Sequence, residues 1–192
     1  MKNKWIIPVS IIGGIILIVV IFFSWTNGVY NKAITLQEGV NKSWGDVLTT
    51  YQRRADLVPQ LVATVKGAAA NERGILTEVT QARTGIVNAK TPNDVELMGK
   101  KINTAINLAF EAYPQIRSTE NFQELQAQLE GTENRIAVAR KDYNEVVMAY
   151  NTHIRGFFRK MAIGLMGSDG EFPRKESFQA AAGTEKAPEV KF

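Results

Sequence analysis

Two clusters of basic residues carry the side chains best suited to bind a partner. In the first, Arg53 and Arg54 precede the carboxylate of Asp56 and the proline at position 59. Guanidinium groups bind carboxylates and phosphates through paired hydrogen bonds, so this cluster could receive an acidic protein strip or lipid headgroups. The structural alternative, which we favour, is that Pro59 bends a helix while Asp56 caps its second half and pairs with an arginine.

The second cluster consists of Arg155, Arg159 and Lys160 within an apolar run at residues 154–166. Cations beside Phe, Met and Leu are typical of a segment that lies on an anionic membrane surface. In the alternative, which we again favour, three apolar side chains spaced four residues apart close the end of a helical core, namely Phe157, Met161 and Leu165. Both clusters are therefore candidate contacts for a partner protein or for lipid.

The sequence contains no pattern typical of a catalytic or metal site. Cysteine is absent and histidine occurs once, as His153, so sites built on several cysteines or histidines are excluded. His153 falls on the apolar side of a predicted helix without a carboxylate close by, which favours a packed, hydrogen-bonded role. No phosphate-binding loop, nucleophile motif or facing pair of carboxylates occurs. We therefore expect no enzymatic activity and no cofactor.

The charge balance excludes one class of partner. The chain has 23 Lys and Arg against 19 Asp and Glu, which gives a net charge of +4. This excess is too small to argue for nucleic acid, and aromatic and basic residues do not alternate in a way that suits bases. We expect no nucleic-acid partner.

An uncharged apolar stretch from Trp5 to Trp25 predicts a membrane anchor. About 20 helical residues at about 1.5 Å each cover the roughly 30 Å of a bilayer's hydrocarbon core, and indoles favour the headgroup level. The alternative is a cleaved signal peptide, but the run is too long and its exit through Phe22 and Phe23 is too bulky. The lysines on either side are nearly balanced, and we expect the N-terminus in the cytoplasm and the remaining chain outside.

Beyond the anchor, the apolar residues follow helical periodicity. The last long helix is expected from Ser118 or Thr119 to about Phe157, with the alternating three–four spacing of a coiled-coil seam. The seam positions are Phe122, Leu125, Leu129, Ile136, Ala139, Tyr143, Val146, Tyr150 and Phe157.

Two tyrosine–asparagine pairs recur one heptad apart on this seam, Tyr143-Asn144 and Tyr150-Asn151. The favoured interpretation is structural: buried tyrosine rings hydrogen-bond across helices, and the asparagines fix the register. The alternative is a ladder of side chains that binds a peptide or another ligand.

The predicted fold is all-α. An apolar stripe through residues 30–88 predicts a helix with a kink or break at Pro59, and a shorter helix from about Asn93 follows a turn and cap. Three to four long helices of this kind pack as an antiparallel bundle. The expected domains are an N-terminal transmembrane helix (1–29), the helical bundle (30–167) and a flexible C-terminal tail (168–192), whose Phe172 and Phe178 could dock onto the bundle.

Two runs of sequence stand out. The first is RRADLVPQLVATVKG at residues 53–67, and the second begins with ARKDYN at 139–144 and continues with YNTHIRGF at 150–157. Both runs resemble the signatures of the LemA family, bacterial membrane-anchored helical proteins. The resemblance covers about residues 1–167. It implies an anchor and a bundle of long helices, and it supplies no activity and no catalytic residues.

These observations predict a single-pass protein of the bacterial cytoplasmic membrane, with its bulk on the extracytoplasmic side. The expected function is that of a non-enzymatic helical scaffold or adaptor, with a membrane or envelope protein as its partner. The alternative is a membrane-tethered sensor or binding module that recognises a small ligand, peptide or lipid between or along its helices. Helices with apolar seams also associate between chains, so the sequence is equally compatible with a homo-oligomer.

Overall fold

The computed structural model describes residues 6–64, 69–112, 120–167 and 170–179, and the regular structure within them is helical. Helix α1 spans Ile6–Thr64, α2 Ala69–Val87, α3 Pro92–Ala112, α4 Glu120–Arg155 and α5 Phe157–Met166. Because no strand occurs in these ranges, the all-α fold predicted from the sequence is confirmed. The start expected for the last long helix, at Ser118 or Thr119, lies outside the described residues.

The chain forms two compact units. Unit 1 contains the residues up to Asn41 together with Val146–Lys175, and unit 2 contains Lys42–Glu145 together with the residues from Glu176 onward. The anchor, bundle and tail expected from the sequence, at 1–29, 30–167 and 168–192, are a different division of the chain and stay a prediction.

Helix α1 joins the apolar stretch and a bundle helix in one continuous element. Its large apolar side chains between Val9 and Phe23 are 46–66 % exposed. A large exposed apolar surface of this kind is typical of a helix that lipid or a partner covers. Among the described residues, α1 is the one helix long and apolar enough to cross a membrane. Its N-terminal part is therefore a candidate membrane anchor, as predicted.

Pro59 lies inside α1 without ending it. A proline lacks the N–H that a helix uses, and its ring crowds the carbonyl one turn earlier, here that of Ala55. The helix nevertheless continues to Thr64. Ala55 and Val58 are completely buried on the same stretch, and this packing stabilises the turn that the proline weakens. Of the two outcomes expected at Pro59, a break does not occur.

In unit 1, the end of α4 packs beside the part of α1 that follows the apolar stretch. Tyr150 is fully buried, as its place on the predicted seam requires. The prediction that the seam reaches Phe157 is wrong, because that side chain is 74 % exposed. The physical reason is local: α4 ends at Arg155, and Gly156 adopts an extended conformation (φ −61°, ψ 132°) that redirects the chain before α5.

In unit 2, apolar side chains from α1, α2, α3 and α4 form the core. Four predicted seam positions of α4 are confirmed here, because they are only 4–6 % exposed, namely Leu125, Leu129, Ile136 and Tyr143, whereas Ala139 is half-buried. Gly99 lets α3 approach α1 closely, since a Cβ at this position would lie 2.6 Å from a ring carbon of Tyr51. Only glycine leaves room for that aromatic ring.

The predicted turn and cap before α3 are confirmed in a reciprocal form. The Thr91 hydroxyl accepts a hydrogen bond from the Asp94 amide at 3.2 Å, and the Asp94 carboxylate accepts one from the Thr91 amide at 3.0 Å. This arrangement satisfies amides that the first turn of a helix leaves unpaired. Hydrogen bonds from Thr91 and from the amide of Lys90 lower the pKa of Asp94.

Candidate functional site

The C-terminal segment at residues 170–179 is non-helical, and α4 holds it through side-chain bonds to its main chain. The sequence placed these residues in a flexible tail. Residues up to 175 belong to unit 1 and those from 176 to unit 2, so the two sets of contacts are taken in turn.

In unit 2, four side chains hold the segment, and we call them the aromatic clamp: Trp44, Arg140, Tyr143 and Asn144. The Asn144 amide donates to the Phe178 carbonyl at 2.9 Å and accepts from the Phe178 amide at 2.8 Å. The Tyr143 hydroxyl donates to the Glu176 carbonyl at 3.1 Å. All three bonds go to main-chain atoms, so they bind the backbone of the segment whatever its side chains are.

The ring of Phe178 fills a pocket between the other members of the aromatic clamp and is only 6 % exposed. It stacks on Trp44 with ring centroids 6.2 Å apart and meets Tyr143 edge-on at 5.5 Å. The guanidinium carbon of Arg140 lies 4.8 Å from the ring centroid, within the range of a cation–π contact. Arg140 is itself held by an ion pair with Glu96 at 2.5 Å. The shape and the contacts of this pocket fit an aromatic side chain.

The tyrosine of the aromatic clamp is protected from ionisation. Burial raises the pKa of Tyr143, and the nearby carboxylate of Glu176 raises it further. The hydroxyl therefore keeps its proton well into the alkaline range and remains a donor to the main chain of the segment.

In unit 1, a second pair of side chains holds the segment, and we call it the polar clamp: Tyr150 and Asn151. The Asn151 amide donates to the Lys175 carbonyl at 2.8 Å and accepts from the Lys175 amide at 3.1 Å. The Tyr150 hydroxyl donates to the Pro173 carbonyl at 3.0 Å. Here too every bond goes to the main chain, and burial raises the pKa of Tyr150.

Tyr30 of α1 adds a further contact to the segment in unit 1. Its hydroxyl donates to the Glu171 carboxylate at 2.6 Å, and its ring meets Phe172 edge-on with centroids 5.6 Å apart. The bond to Glu171 raises the pKa of Tyr30, because ionisation would place two negative charges side by side.

The structure therefore revises the interpretation of the two tyrosine–asparagine pairs. The burial of both tyrosine rings is confirmed. The expectation that these side chains bond to another helix and set its register is wrong for the hydrogen bonds described, since their partner is the segment at 170–179. The repeated pair is visible in the sequence, but its hydrogen-bond partners lie 23 to 34 residues away in an irregular stretch without periodicity.

A cleft of about 490 Å³ opens between α1, α3 and α4 within unit 2. Its lining is mostly polar and consists of Tyr51, Arg54, Glu96, Gly99, Lys100, Asn103, Glu133, Ile136, Arg140 and Gln179. Arg140 belongs to both the cleft and the aromatic clamp, and it donates to the Gln179 carbonyl at 3.2 Å. The residue that follows Phe178 thus forms one edge of the cleft.

The comparison with known families decides the family of this chain. The sequence profile of the LemA family matches residues 43–192. The chain belongs to the LemA family. The match continues past residue 167, where the resemblance seen in the sequence ended, and it includes the C-terminal segment. Among curated proteins, the chain is similar to Protein LemA of Metamycoplasma hominis, with 21 % identity over 151 residues, which cover 72 % of this chain and 69 % of that protein.

Membership of the LemA family supports an envelope-associated protein and gives no established enzymatic activity. Among the described residues of this LemA family member, no group of three or more His, Asp or Glu side chains could hold a metal ion. The two clamps and the cleft present amides, aromatic rings and guanidinium groups.

The first basic cluster of this LemA family member is split between two environments. Arg53 is exposed, while the Arg54 side chain is only 11 % exposed and pairs with Glu133 at 2.8 Å. Arg54 also donates to Asn103 at 3.0 Å and to the Leu129 carbonyl at 2.9 Å. These bonds fix Arg54 in the wall of the cleft, whereas Arg53 is available at the surface.

The expected pairing of Asp56 with an arginine is confirmed, although the partner comes from another helix. The Asp56 carboxylate accepts from Arg83 of α2 at 2.9 Å. Both side chains are about half exposed, so this pair contributes little to stability.

The second basic cluster is exposed as a whole: Arg155, Arg159 and Lys160. The alternative in which nearby apolar residues close the core is wrong, since Phe157, Met161 and Leu165 are 74 %, 56 % and 65 % exposed. Arg159 and Lys160 therefore lie on the same short helix as an open apolar surface, α5, while Arg155 is the last residue of α4.

The packed role predicted for His153 is confirmed. Its Nε2 lies 2.9 Å from the Val29 carbonyl oxygen, and the residue is half-buried. Because a carbonyl can only accept, Nε2 must carry the proton in this contact. His153 thus joins the end of α4 to α1 within unit 1.

Proposed function

We propose that this LemA family member is a membrane-anchored, non-enzymatic adaptor that binds a peptide segment of an envelope protein on its aromatic clamp. The observation that supports this most is the set of bonds to Phe178: two from Asn144 to the main chain and an aromatic pocket for the ring. The chain's own segment acts as the internal ligand, and a partner with an aromatic residue in a similar backbone conformation would take its place.

Two physical features make the aromatic clamp suitable for this role. The asparagine amide recognises the N–H and C=O of one residue, so the sequence around that residue is unrestricted. The pocket formed by Trp44, Tyr143 and Arg140 supplies burial for a single aromatic ring, which is the kind of anchor that dominates binding energy at interfaces. The adjoining cleft has room for the residues that follow the anchor.

A peptide-binding measurement tests the clamp. The probe is a fluorescent peptide of residues 170–179, added to the full chain in lipid nanodiscs. Phe178→Ala removes the internal ligand's anchor, so we expect this variant to bind the probe several-fold more tightly than the wild type does. Adding Asn144→Ala to that variant should weaken probe binding by about 5-fold or more, because both main-chain bonds are lost.

The matched control replaces an asparagine of α4 that is exposed and outside the clamp, Asn134. Asn134→Ala in the Phe178→Ala background should leave probe binding unchanged. Equal binding by the Asn144 and Asn134 variants, or no binding by Phe178→Ala, would contradict a peptide site at the aromatic clamp.

A photo-crosslinking amino acid at position 100 tests the adaptor role in cells. Lys100 is exposed and lines the cleft, whereas the neighbouring Lys101 is exposed but does not line it. We expect a defined adduct with another envelope protein from position 100 and a weaker one from position 101. If position 100 crosslinks only to further copies of the chain, the protein is a homo-oligomer at this surface and the adaptor proposal fails.

We further propose that the chain spans the bacterial cytoplasmic membrane once, with its bulk outside. Cysteine is absent, so single-cysteine variants give clean labelling. Val138→Cys is suitable, since Val138 is 57 % exposed on α4. A membrane-impermeant maleimide should label it in intact spheroplasts. Labelling only after lysis would place the bulk of the chain on the cytoplasmic side.

A second candidate function is a sensor for a small anionic ligand, and the cleft is the observation that favours it. Three cations line the cleft against two carboxylates, namely Arg54, Lys100 and Arg140 against Glu96 and Glu133. The chain purified from its native membrane should then carry a small-molecule adduct in native mass spectrometry. Lys100→Glu should reduce the adduct and Lys101→Glu should not, while absence of any adduct from the wild type would remove this candidate.

A further inference from the structure

Helix α5 carries an apolar surface that no described residue of unit 1 covers. Four of its side chains are 56–74 % exposed, namely Phe157, Phe158, Met161 and Leu165. At about 100° per residue, these four positions fall within about 100° of one another around the helix axis. On the same scale Ala162 falls at about 140°, beside this face, and it is only 1 % exposed because it packs against the protein. The helix therefore packs one side against the protein and turns its largest apolar side chains outward.

Contacts with α1 hold the chain on both sides of α5 at one level. Before α5, at the end of α4 and four residues from Phe157, His153 bonds to the Val29 carbonyl at 2.9 Å. Immediately after α5, Gly167 lies against the Glu171 carboxylate and against Tyr30, since a Cβ on this glycine would come within 2.9 Å of the tyrosine ring. The chain that enters and leaves α5 thus lies beside residues 29 and 30.

That level coincides with the surface of a bilayer that the anchor would span. The apolar stretch ends at Trp25, and residues 29 and 30 follow it by four and five positions. At about 1.5 Å per residue this is about 6–8 Å along α1, while the headgroup layer on each side of the hydrocarbon core is about 5–7 Å thick. Because an apolar face in that layer reaches the acyl chains, it does not need a protein partner.

The charges of α5, and of Arg155 at the end of α4, fit the same surface. Arg155, Arg159 and Lys160 are exposed, and no acidic residue occurs from Arg155 to Gly167. Cations near an amphipathic helix attract anionic lipid headgroups, while acidic residues would be repelled. The apolar face and the charges therefore favour the same occupant.

We propose that α5 lies on the bilayer surface beside the anchor, with Phe157, Phe158, Met161 and Leu165 in the headgroup and upper acyl region. This inference rests on the anchoring part of the proposed function and is independent of the aromatic clamp. It gives the chain a second membrane contact, which orients unit 1 on the lipid surface.

Spin-label accessibility tests the proposal on the full chain in nanodiscs that contain anionic lipid. Met161→Cys and Leu165→Cys place nitroxides on the apolar face. Met148→Cys is the matched control, since Met148 is 66 % exposed on α4 in the same unit. It lies five residues before His153, about 7.5 Å farther from the bilayer along α4.

At positions 161 and 165 we expect high collision rates with oxygen and low rates with a water-soluble nickel chelate. Their oxygen-to-nickel ratio should exceed that at position 148 several-fold. Equal ratios at positions 148, 161 and 165 would overturn the proposal.

A fourth variant, Ile15→Cys, reports on the anchor by itself. If position 15 is accessible to oxygen and positions 161 and 165 are accessible to nickel, the anchor stands and the surface contact of α5 is rejected. If position 15 is also accessible to nickel, the anchoring proposal fails and the inference about α5 fails with it.

Discussion

The aromatic clamp of unit 2 and the polar clamp of unit 1 use the same main-chain bonds but hold different side chains. In each, an asparagine amide makes two bonds of 2.8–3.1 Å to one residue of the C-terminal segment, and a tyrosine hydroxyl makes a third. Phe178 is buried in the aromatic clamp, whereas Lys175 in the polar clamp stays half-exposed.

This difference indicates that the features that set the position of the segment are not the ones that supply most of its binding free energy. Hydrogen bonds to the main chain replace bonds to water and contribute little net free energy, but they fix where the segment lies. Burial of an aromatic ring contributes about 1.5–3 kcal/mol and has no counterpart in the polar clamp. We infer that the aromatic clamp provides most of the binding free energy and that the polar clamp mainly positions the chain.

The largest effect is expected from Phe178→Ala, which removes the buried ring. Loss of about 2–3 kcal/mol should increase the population in which the segment has left α4 by about 30- to 150-fold. Trypsin cleavage after Lys175, followed by mass spectrometry, measures this population. We expect cleavage at that bond to accelerate accordingly.

Phe172→Ala is the matched control, because Phe172 is half-buried and contacts Tyr30 edge-on. An edge-on aromatic pair contributes about 0.5–1.5 kcal/mol, so cleavage after Lys175 should accelerate by about tenfold at most. If the two substitutions have equal effects, the distinction between an aromatic and a polar clamp does not hold.

A smaller and equal effect is expected from Asn144→Ala and Asn151→Ala. Each substitution removes two bonds and leaves a main-chain N–H and C=O without these partners; because these groups are only part-buried, the loss lies at the lower end of about 1–3 kcal/mol. Urea unfolding followed by circular dichroism, together with cleavage after Lys175, provides the comparison. A much larger loss for Asn144 would mean that its amide does more than hold the main chain.

The smallest effect is expected from the tyrosine hydroxyls. Tyr143→Phe and Tyr150→Phe each remove one hydrogen bond, so stability at neutral pH should fall by about 0.5–1.5 kcal/mol. Urea midpoints at neutral pH for the wild type and the two variants measure this loss. An unchanged midpoint would show that water replaces the bond without penalty.

The same tyrosines predict an alkaline loss of stability. Burial raises the pKa of Tyr143 and Tyr150 above the ordinary value of 10.0. Because the folded chain holds these protons more tightly than the unfolded chain, the contribution is fully present below pH 10.0 and is lost as the pH rises through the raised values. Midpoints measured above pH 10.0 should therefore decline more steeply for the wild type than for either phenylalanine variant.

Periodicity predicted most of the helices because each of them buries a stripe of its own. Leu125, Leu129, Ile136 and Tyr143 are buried where the heptad places them. The pattern failed at Phe157, whose spacing fits the seam but whose side chain lies beyond the end of α4. The heptad spacing in the sequence continues past Gly156, but helix α4 ends at Arg155, so the spacing no longer predicts burial beyond that point.

The sequence identified several residues of the candidate site but not the contacts that they make. The repeated tyrosine–asparagine pair is visible in the sequence, and so are the cations at 53–54 and 155–160. Sequence alone assigned Arg53 and Arg54 the same role, but one is exposed and the other lies in the wall of the cleft. Their different environments come from the residues of α3 and α4 that happen to lie beside Arg54.

By itself, the sequence determined the helices, the candidate anchor and the absence of thiol chemistry, because these depend on composition and on contacts between near neighbours along the chain. Only the tertiary structure decided what the asparagines hold, which arginine is buried and which apolar face stays open. These properties depend on pairs of residues far apart in the chain, such as Asn144 with Phe178 or His153 with Val29, and no local pattern encodes which distant group will meet which.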